Sequence, residues 1–300
     1  MAHNAISFIN SKNEEISLCN YETTKDLIEL WGRTGFEAPL VTYIDEESAD
    51  GHIATIGVKI NARDVSINMV VVGGSEAQRD SVFHNLINKI FEYGTGSVWG
   101  KLKLSRSDGS FVYLNCIYAG GIDEIVEQYT KFHKFVLRFH ASDPFFYDED
   151  FTEFIFSDTE QHGLYLGDVY FGDIYLQGGA NTAVLNINNT GQVCYPVITI
   201  VGPAKTISLY NVTTGKTLAM DSAFELADEE VLTIDCRDRL RSIILAQYGQ
   251  GDEDITSSMA LGSTLVFPIN PGLNVIEITY TDTTANTSVN FAFQKRYLSA

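Results

Sequence analysis

The sequence has little of what usually betrays chemistry. It holds only four cysteines in 300 residues, Cys19, Cys116, Cys194 and Cys236, with no C-x-x-C pair. Zinc sites need ligands clustered at short spacings, so this scatter argues against one. A chain this long has no need of disulfide staples, and the four read as free buried thiols in a reducing cytoplasm. Positive charge is also scarce: 20 Lys and Arg stand against 39 Asp and Glu, for a net charge of −19. Holding nucleic acid by its backbone requires Lys and Arg against phosphate, so that function class is excluded. The chain should repel polyanions instead. No long apolar run exists. The tightest cluster is Met69 to Val72, far short of the ~18–20 residues of a spanning helix. The opening MAHNAISFINSKNEE lacks the basic and apolar regions of a signal peptide, so neither secretion nor membrane insertion is expected.

What is present is globular and mostly alternating. Apolar residues make up 45% and aromatics 12%, which excludes a disordered chain. Val65, Ile67, Met69 and Val71 recur at period two, as a half-buried strand requires. Leu102 and Leu104, then Phe111 and Tyr113, flank Asp108-Gly109, a hairpin signal. Phe135, Leu137 and Phe139 share one face of another strand, with Lys134, Arg138 and His140 on the other. One segment differs. Ser75 to Gln78 reads as a capping box, and Val82, Phe83, Leu86, Ile87, Ile90 and Phe91 follow at helical spacing until Gly94. This predicts a single helix over about 75–93, laid on a sheet.

After Asp143-Pro144 the texture becomes aromatic and acidic. From residue 181 onward, short strands alternate with turn signals such as Asn189-Thr-Gly191, Thr214-Gly215 and Pro271-Gly272. That spacing predicts an antiparallel sandwich. The expected fold class is therefore mainly β, with an α+β N-terminal domain over 1–145 and a sandwich over 146–300. Near the boundary, YLGDVYFGDIYL at Tyr165–Leu176 nearly repeats itself. Two five-residue copies do not make a solenoid, which needs several units of ~20 residues. A calcium site needs several converging oxygens, and Asp168 and Asp173 are only two carboxylates. The Gly-Asp pairs read as turns, in an edge hairpin or a bent strand.

Tests for a reactive centre return little. Gly94-Thr-Gly96-Ser-Val-Trp-Gly100-Lys101 fails the phosphate-loop spacing, and Leu102 stands where Ser or Thr belongs. It also follows a helix and leads into a strand, the reverse of the dinucleotide order. His133 and His140 sit seven apart on a predicted strand, on opposite faces; His84 lies beside the helix stripe. No Gly-x-Ser-x-Gly elbow is present. The acidic runs at Asp45–Glu47 and Asp252–Asp254 read as solvated loops. With 39 carboxylates, some pair always falls close, so a glycosidase pair cannot be picked. Both tryptophans, Trp31 and Trp99, lie in the first domain, leaving the sandwich only Tyr and Phe as sugar platforms. No catalytic, cofactor-binding or metal-ligating residue is nominated, and no cofactor is expected.

Several stretches together resemble one family. Phe135-Val-Leu-Arg-Phe-His-Ala-Ser-Asp-Pro-Phe-Phe-Tyr147 resembles the end of the first domain in siphophage distal tail (Dit) proteins. Asn188-Asn-Thr-Gly191 and Tyr195-Pro-Val-Ile-Thr-Ile-Val-Gly202 resemble the opening of that family's galectin-like sandwich. Asn211-Val-Thr-Thr-Gly215, Val231-Leu-Thr-Ile-Asp-Cys236, Phe267-Pro-Ile-Asn-Pro-Gly-Leu-Asn274 and Arg296-Tyr-Leu298 follow in the family's order. The resemblance implies an N-terminal split β-barrel and six copies closing into a ring, with a belt-like extension gripping the neighbour. It implies a baseplate hub at the virion tail tip, made in the host cytoplasm and not an enzyme. The ring would join the tail tube protein to a tail-associated lysin or tail-tip protein and let DNA through its lumen. Galectin-like domains would project outward, where receptor-binding or accessory baseplate proteins dock. The lumen should then be lined by carboxylates, because Lys or Arg would hold DNA back. The alternatives are a lectin-like module that binds receptor or cell-wall saccharide, and a cell-wall hydrolase.

Overall fold

The computed structural model describes residues 5–19, 28–47, 53–72, 75–90, 99–121, 125–128, 132–157, 165–166, 169–170, 181–247, 249, 251–284 and 286–299. The chain forms two compact units, Met1–Glu149 with Tyr297–Ala300, and Asp150–Arg296. The last four residues, which the sequence pattern places with the sandwich, thus belong to the first unit. No helix among the described residues is long and apolar enough to cross a membrane.

The first unit begins with β1 (Ile6–Asn10), β2 (Glu15–Cys19), β3 (Ile28–Thr34), β4 (Val41–Glu47), β5 (Ile53–Ile60) and β6 (Arg63–Val72). The helix α1 (Glu76–Ile90) follows, then β7 (Trp99–Ser105), β8 (Phe111–Gly120), β9 (Ile125–Gln128), β10 (Phe132–Ala141) and β11 (Phe146–Asp148). The main sheet runs β2-β1-β7-β8-β10-β6-β3. Its end strands β2 and β3 lie close to each other, with no described ladder between them. This is an open seam of the kind a split barrel has. β4 and β5 stand apart as a two-stranded sheet.

Alternation explains the core. Val65, Ile67, Met69 and Val71 on β6 are fully buried, as are Leu137 and Phe139 on β10 opposite them. On α1, Leu86 and Ile90 are buried, and Val82, Phe83 and Ile87 pack on the same cluster. Phe83 meets Phe135 edge-on at 5.2 Å, so the helical stripe does cover the sheet. The described helix runs 76–90, starting one residue after the expected 75; residues 91–93, the closing Gly94 and the rejected phosphate loop up to Val98 lie outside the described residues. The Asp108-Gly109 signal forms the β7–β8 turn. Gly109 has φ +86°, and the Asp108 carboxylate accepts from the Ser110 hydroxyl and amide at 2.6 and 2.9 Å. Those bonds hold the Asp108 carboxyl below its ordinary value.

The second unit is a sandwich. One sheet contains β12 (Thr152–Ser157), β16 (Val197–Val201), β20 (Val231–Asp235), β21 (Ser242–Ala246), β22 (Glu253–Asp254) and β24 (Ser288–Phe293). The other contains β15 (Asn181–Asn189), β17 (Ala204–Asn211), β18 (Lys216–Ala219), β19 (Glu225–Leu226) and β23 (Gly272–Thr281). Their inner faces meet in one cluster that includes Ile198, Ile234, Phe291, Leu209 and Ile278. A separate pair, β13 (Tyr165–Leu166) and β14 (Val169–Tyr170), is antiparallel on either side of Gly167-Asp168. The residues flanking the first Gly-Asp pair thus pair with each other; Gly167, Asp168 and the second copy with Asp173 lie outside the described residues.

The motif residues of this unit turn out to be structural. Asn189, Asn211 and Asn274 are all buried. The Asn189 amide donates to the carbonyls of Gln192 and Ile269, and its oxygen accepts from Gly191. The Asn211 amide donates to the Pro268 carbonyl at 3.0 Å. Asn274 donates to the carbonyls of Asn270 and Gly272. Each asparagine ties a loop's main chain to the core, because buried peptide groups must be paired.

Cys116, Cys194 and Cys236 are free and buried, and burial pushes each thiol up to about 12. A raised folded value means folding favours the neutral thiol. That contribution is complete below the ordinary value near 9.0 and is lost as pH climbs toward 12. All three should resist a thiol reagent at pH 8 in the native protein and label on unfolding, read site by site by mass spectrometry. Native labelling at the rate of a free thiol would contradict this.

Candidate assembly interface

The β4–β5 hairpin carries an apolar face that no described residue covers. Directly opposed residues of an antiparallel pair share a face. Val41 opposes Ile60 and Tyr43 opposes Val58. The register then slips by one residue, so Ile56 is the extra residue of a bulge between the Ile44–Gly57 and Asp45–Thr55 pairs. Val41, Tyr43 and Val58 therefore share one side with Ile60; Val41, Tyr43 and Val58 are 44%, 63% and 57% exposed, and the bulged Ile56 is 62% exposed. The Thr55 hydroxyl donates to Asp45 at 2.7 Å on the same side. Thr42, Lys59 and Ile44, whose terminal methyl lies near Gly57, take the other.

The sequence does not announce this hairpin: its acidic run Asp45–Glu47 reads there as a solvated loop. The structure places that run in β4, with Asp45 and Glu46 exposed. A strand with water on both faces tolerates charge that a packed strand would not. The run at Asp252–Asp254 behaves alike: Glu253 and Asp254 form β22, exposed at the end of its sheet. Among the described residues β4 and β5 pair only with each other, so both outer edges present open amides and carbonyls.

A second exposed feature lies on β7. Trp99 is 61% exposed and borders a groove of about 320 Å³ lined by Ile9, Asn10, Asn13, Lys101 and Asn115, among others. In the second unit, β23 places Glu277 between Val184 of β15 and Tyr210 of β17, both exposed on the outer face. Among the described residues no group of three or more His, Cys, Asp and Glu is placed to hold a metal. His140 lies 2.7 Å from Asp64 on the outer face of the first sheet, and His84 contacts the Asp80 carbonyl of its own helix. The side chain of His133 is outside the described set.

By sequence, the chain matches no known family model and no curated protein. Its structure is similar to that of the Dit protein of phage SPP1, described as a paradigm of the hub adsorption apparatus in phages infecting Gram-positive bacteria. The TM-score is 0.66 at 15% identity, over 97% of this chain and 99% of that one. It is also similar to a chain of the phage P2 baseplate in its activated conformation. With calcium the TM-score is 0.52 at 8% identity, over 99% of this chain and 100% of the other. With strontium it is 0.52 at 9%, over all of both chains. The mainly β, one-helix architecture expected from the sequence is thus the Dit fold, shared end to end.

Proposed function

We propose that this protein is a structural subunit of a phage tail tip, in which six copies close a ring joining the tail tube to a tail-associated lysin or tail fibre. The observation that carries the reading is the β4–β5 hairpin. Its bare apolar stripe and open edges fit a subunit whose surface is completed by a neighbour. A head-to-tail contact repeated by rotation closes into a ring when the rotation divides a full turn, and a sixth of a turn gives six copies. The interface should exceed the ~1,000 Å² expected of a biological contact. The fold shared along its full length with SPP1 Dit supports the same reading. The sandwich would carry receptor-binding or accessory baseplate proteins outside the ring.

The net charge of −19 has a use in such a ring. A channel that conducts DNA must not bind it, so carboxylates should line the lumen. Electron microscopy of the purified protein tests the proposal. Six-fold rings with an acidic channel are the expected result; monomers at high concentration would sink the hub, and a channel lined by Lys and Arg would sink the charge argument.

The lectin-like alternative has one observation in its favour, the exposed Tyr210 beside Glu277. An aromatic plane next to a carboxylate is a chemistry that sugars use. A glycan array should give no hits; clear binding lost in Tyr210→Ala would replace the hub reading with this one.

A further inference from the structure

Arg63 opens β6 just past the end of the hairpin, and its residue is only 3% exposed. Its hydrogen bonds go to main-chain carbonyls in three separate segments. Nη1 donates to the carbonyls of Gly35 and Glu37 at 2.7 and 2.6 Å, Nε to Pro144 at 3.0 Å and Nη2 to Leu298 at 2.5 Å. The guanidinium also lies 4.6 Å from the centre of the Phe146 ring. Phe146 in turn stacks on Phe36, between the two clamped carbonyls, at 6.3 Å. Burial lowers the Arg63 pKa, and Glu37 opposes the shift. A guanidinium nevertheless stays charged at neutral pH, so its donors must be satisfied here.

The three segments have unequal roles. Gly35–Glu37 lead into β4, and Arg63 follows β5, so two of the four bonds grip both feet of the hairpin. Gly35 is at φ +86°, and a Cβ there would come within 2.2 Å of the Asp64 carbonyl oxygen, which leaves the foot no slack. Leu298, by contrast, is 235 residues away in sequence. Its segment is held independently, since the Tyr297 hydroxyl donates to Asp148 at 2.9 Å and Arg106 lies over the Tyr297 ring at 4.1 Å. Lysine could not replace this cluster: its donors radiate from one atom, whereas the planar fork reaches several acceptors at once.

We propose that Arg63 sets the aim of the β4–β5 hairpin and makes it conditional on the returned segment at Tyr297–Leu298, so that the root is rigid only when Leu298 is in place. A segment 235 residues further along the chain then completes the arm. What the arm grips rests on the assembly reading; the coupling itself does not. Hydrogen exchange on the dilute protein tests it through the Asn61 amide, which donates to the Leu40 carbonyl at 3.0 Å across the hairpin root. In a chain ended at Arg296, and in Arg63→Met, Asn61 should exchange about tenfold faster or more, while β6 and β10 amides keep their protection. Arg63→Lys should behave as Met does. An Asn61 rate in the shortened chain equal to that of the full chain overturns the coupling, and a wild-type rate in Arg63→Lys overturns the role of the fork. If Arg63→Met loses protection throughout the first unit, the shortened chain and the lysine variant decide. Rings that never form would sink the hub and leave this result standing.

Discussion

Replacing Tyr43 and Val58 together by aspartate is expected to leave each chain folded and to break the assembly into monomers. Both side chains lie on the bare face of the hairpin, 63% and 57% exposed. Single surface changes usually shift stability by ~0.5 kcal/mol or less, and the repulsion of the two facing carboxylates is confined to a hairpin that pairs with no other described strand. Inside an interface the same two positions become desolvated, and a carboxylate there has no partner. Central interface contacts cost about 2 kcal/mol or more each when lost, so two amount to nearly a thousandfold per contact. A ring multiplies that loss around its circumference. Light scattering should report the mass of one chain, with a melting curve like that of the wild type. Rings of undiminished stability in the double variant would show that another surface makes the contact.

Phe139→Ala is expected to have the largest effect on folding. Phe139 is fully buried on β10, paired in register with Val65 of β6 and Tyr118 of β8. Its ring lies 5.2 Å from that of Phe8 and 5.9 Å, edge-on, from that of Tyr118. Truncating a phenylalanine in such a place costs about 3–5 kcal/mol, because the neighbours cannot close over the hole. A domain is stable by only ~5–15 kcal/mol, so much of the margin goes. The urea midpoint of the first unit should fall by about 1–3 M. Ile155→Ala, at an exposed site on β12, should move it hardly at all. A midpoint unchanged by Phe139→Ala would mean that this core is not packed as described.

The local elements were readable because their causes are local. Period-two burial on β6 and β10, the helical stripe of α1 and the Asp-Gly turn each depend on a few neighbouring residues. The asparagines at 189, 211 and 274 were visible as parts of motifs, but not as loop anchors. Their partners, such as Ile269 for Asn189 and Pro268 for Asn211, lie far along the chain. The exposed face of the hairpin was hidden for a different reason. Val41, Tyr43, Ile56 and Val58 alternate as any half-buried strand does, and alternation says which residues share a face, not whether anything covers it.

The sequence by itself determined where strands and helix form, that two differently textured halves exist, and that no cluster of reactive groups recurs at a usable spacing. Side-chain period, turn chemistry and charge balance are short-range properties, so they survive in a linear string. Tertiary structure alone decided that no described residue covers the hairpin, that Tyr297 and Leu298 return to the first unit, and that one buried guanidinium joins segments 26 to 235 residues away. Those features exist only where distant stretches of chain converge, because a buried charge takes whichever carbonyls the fold brings within reach of its donors.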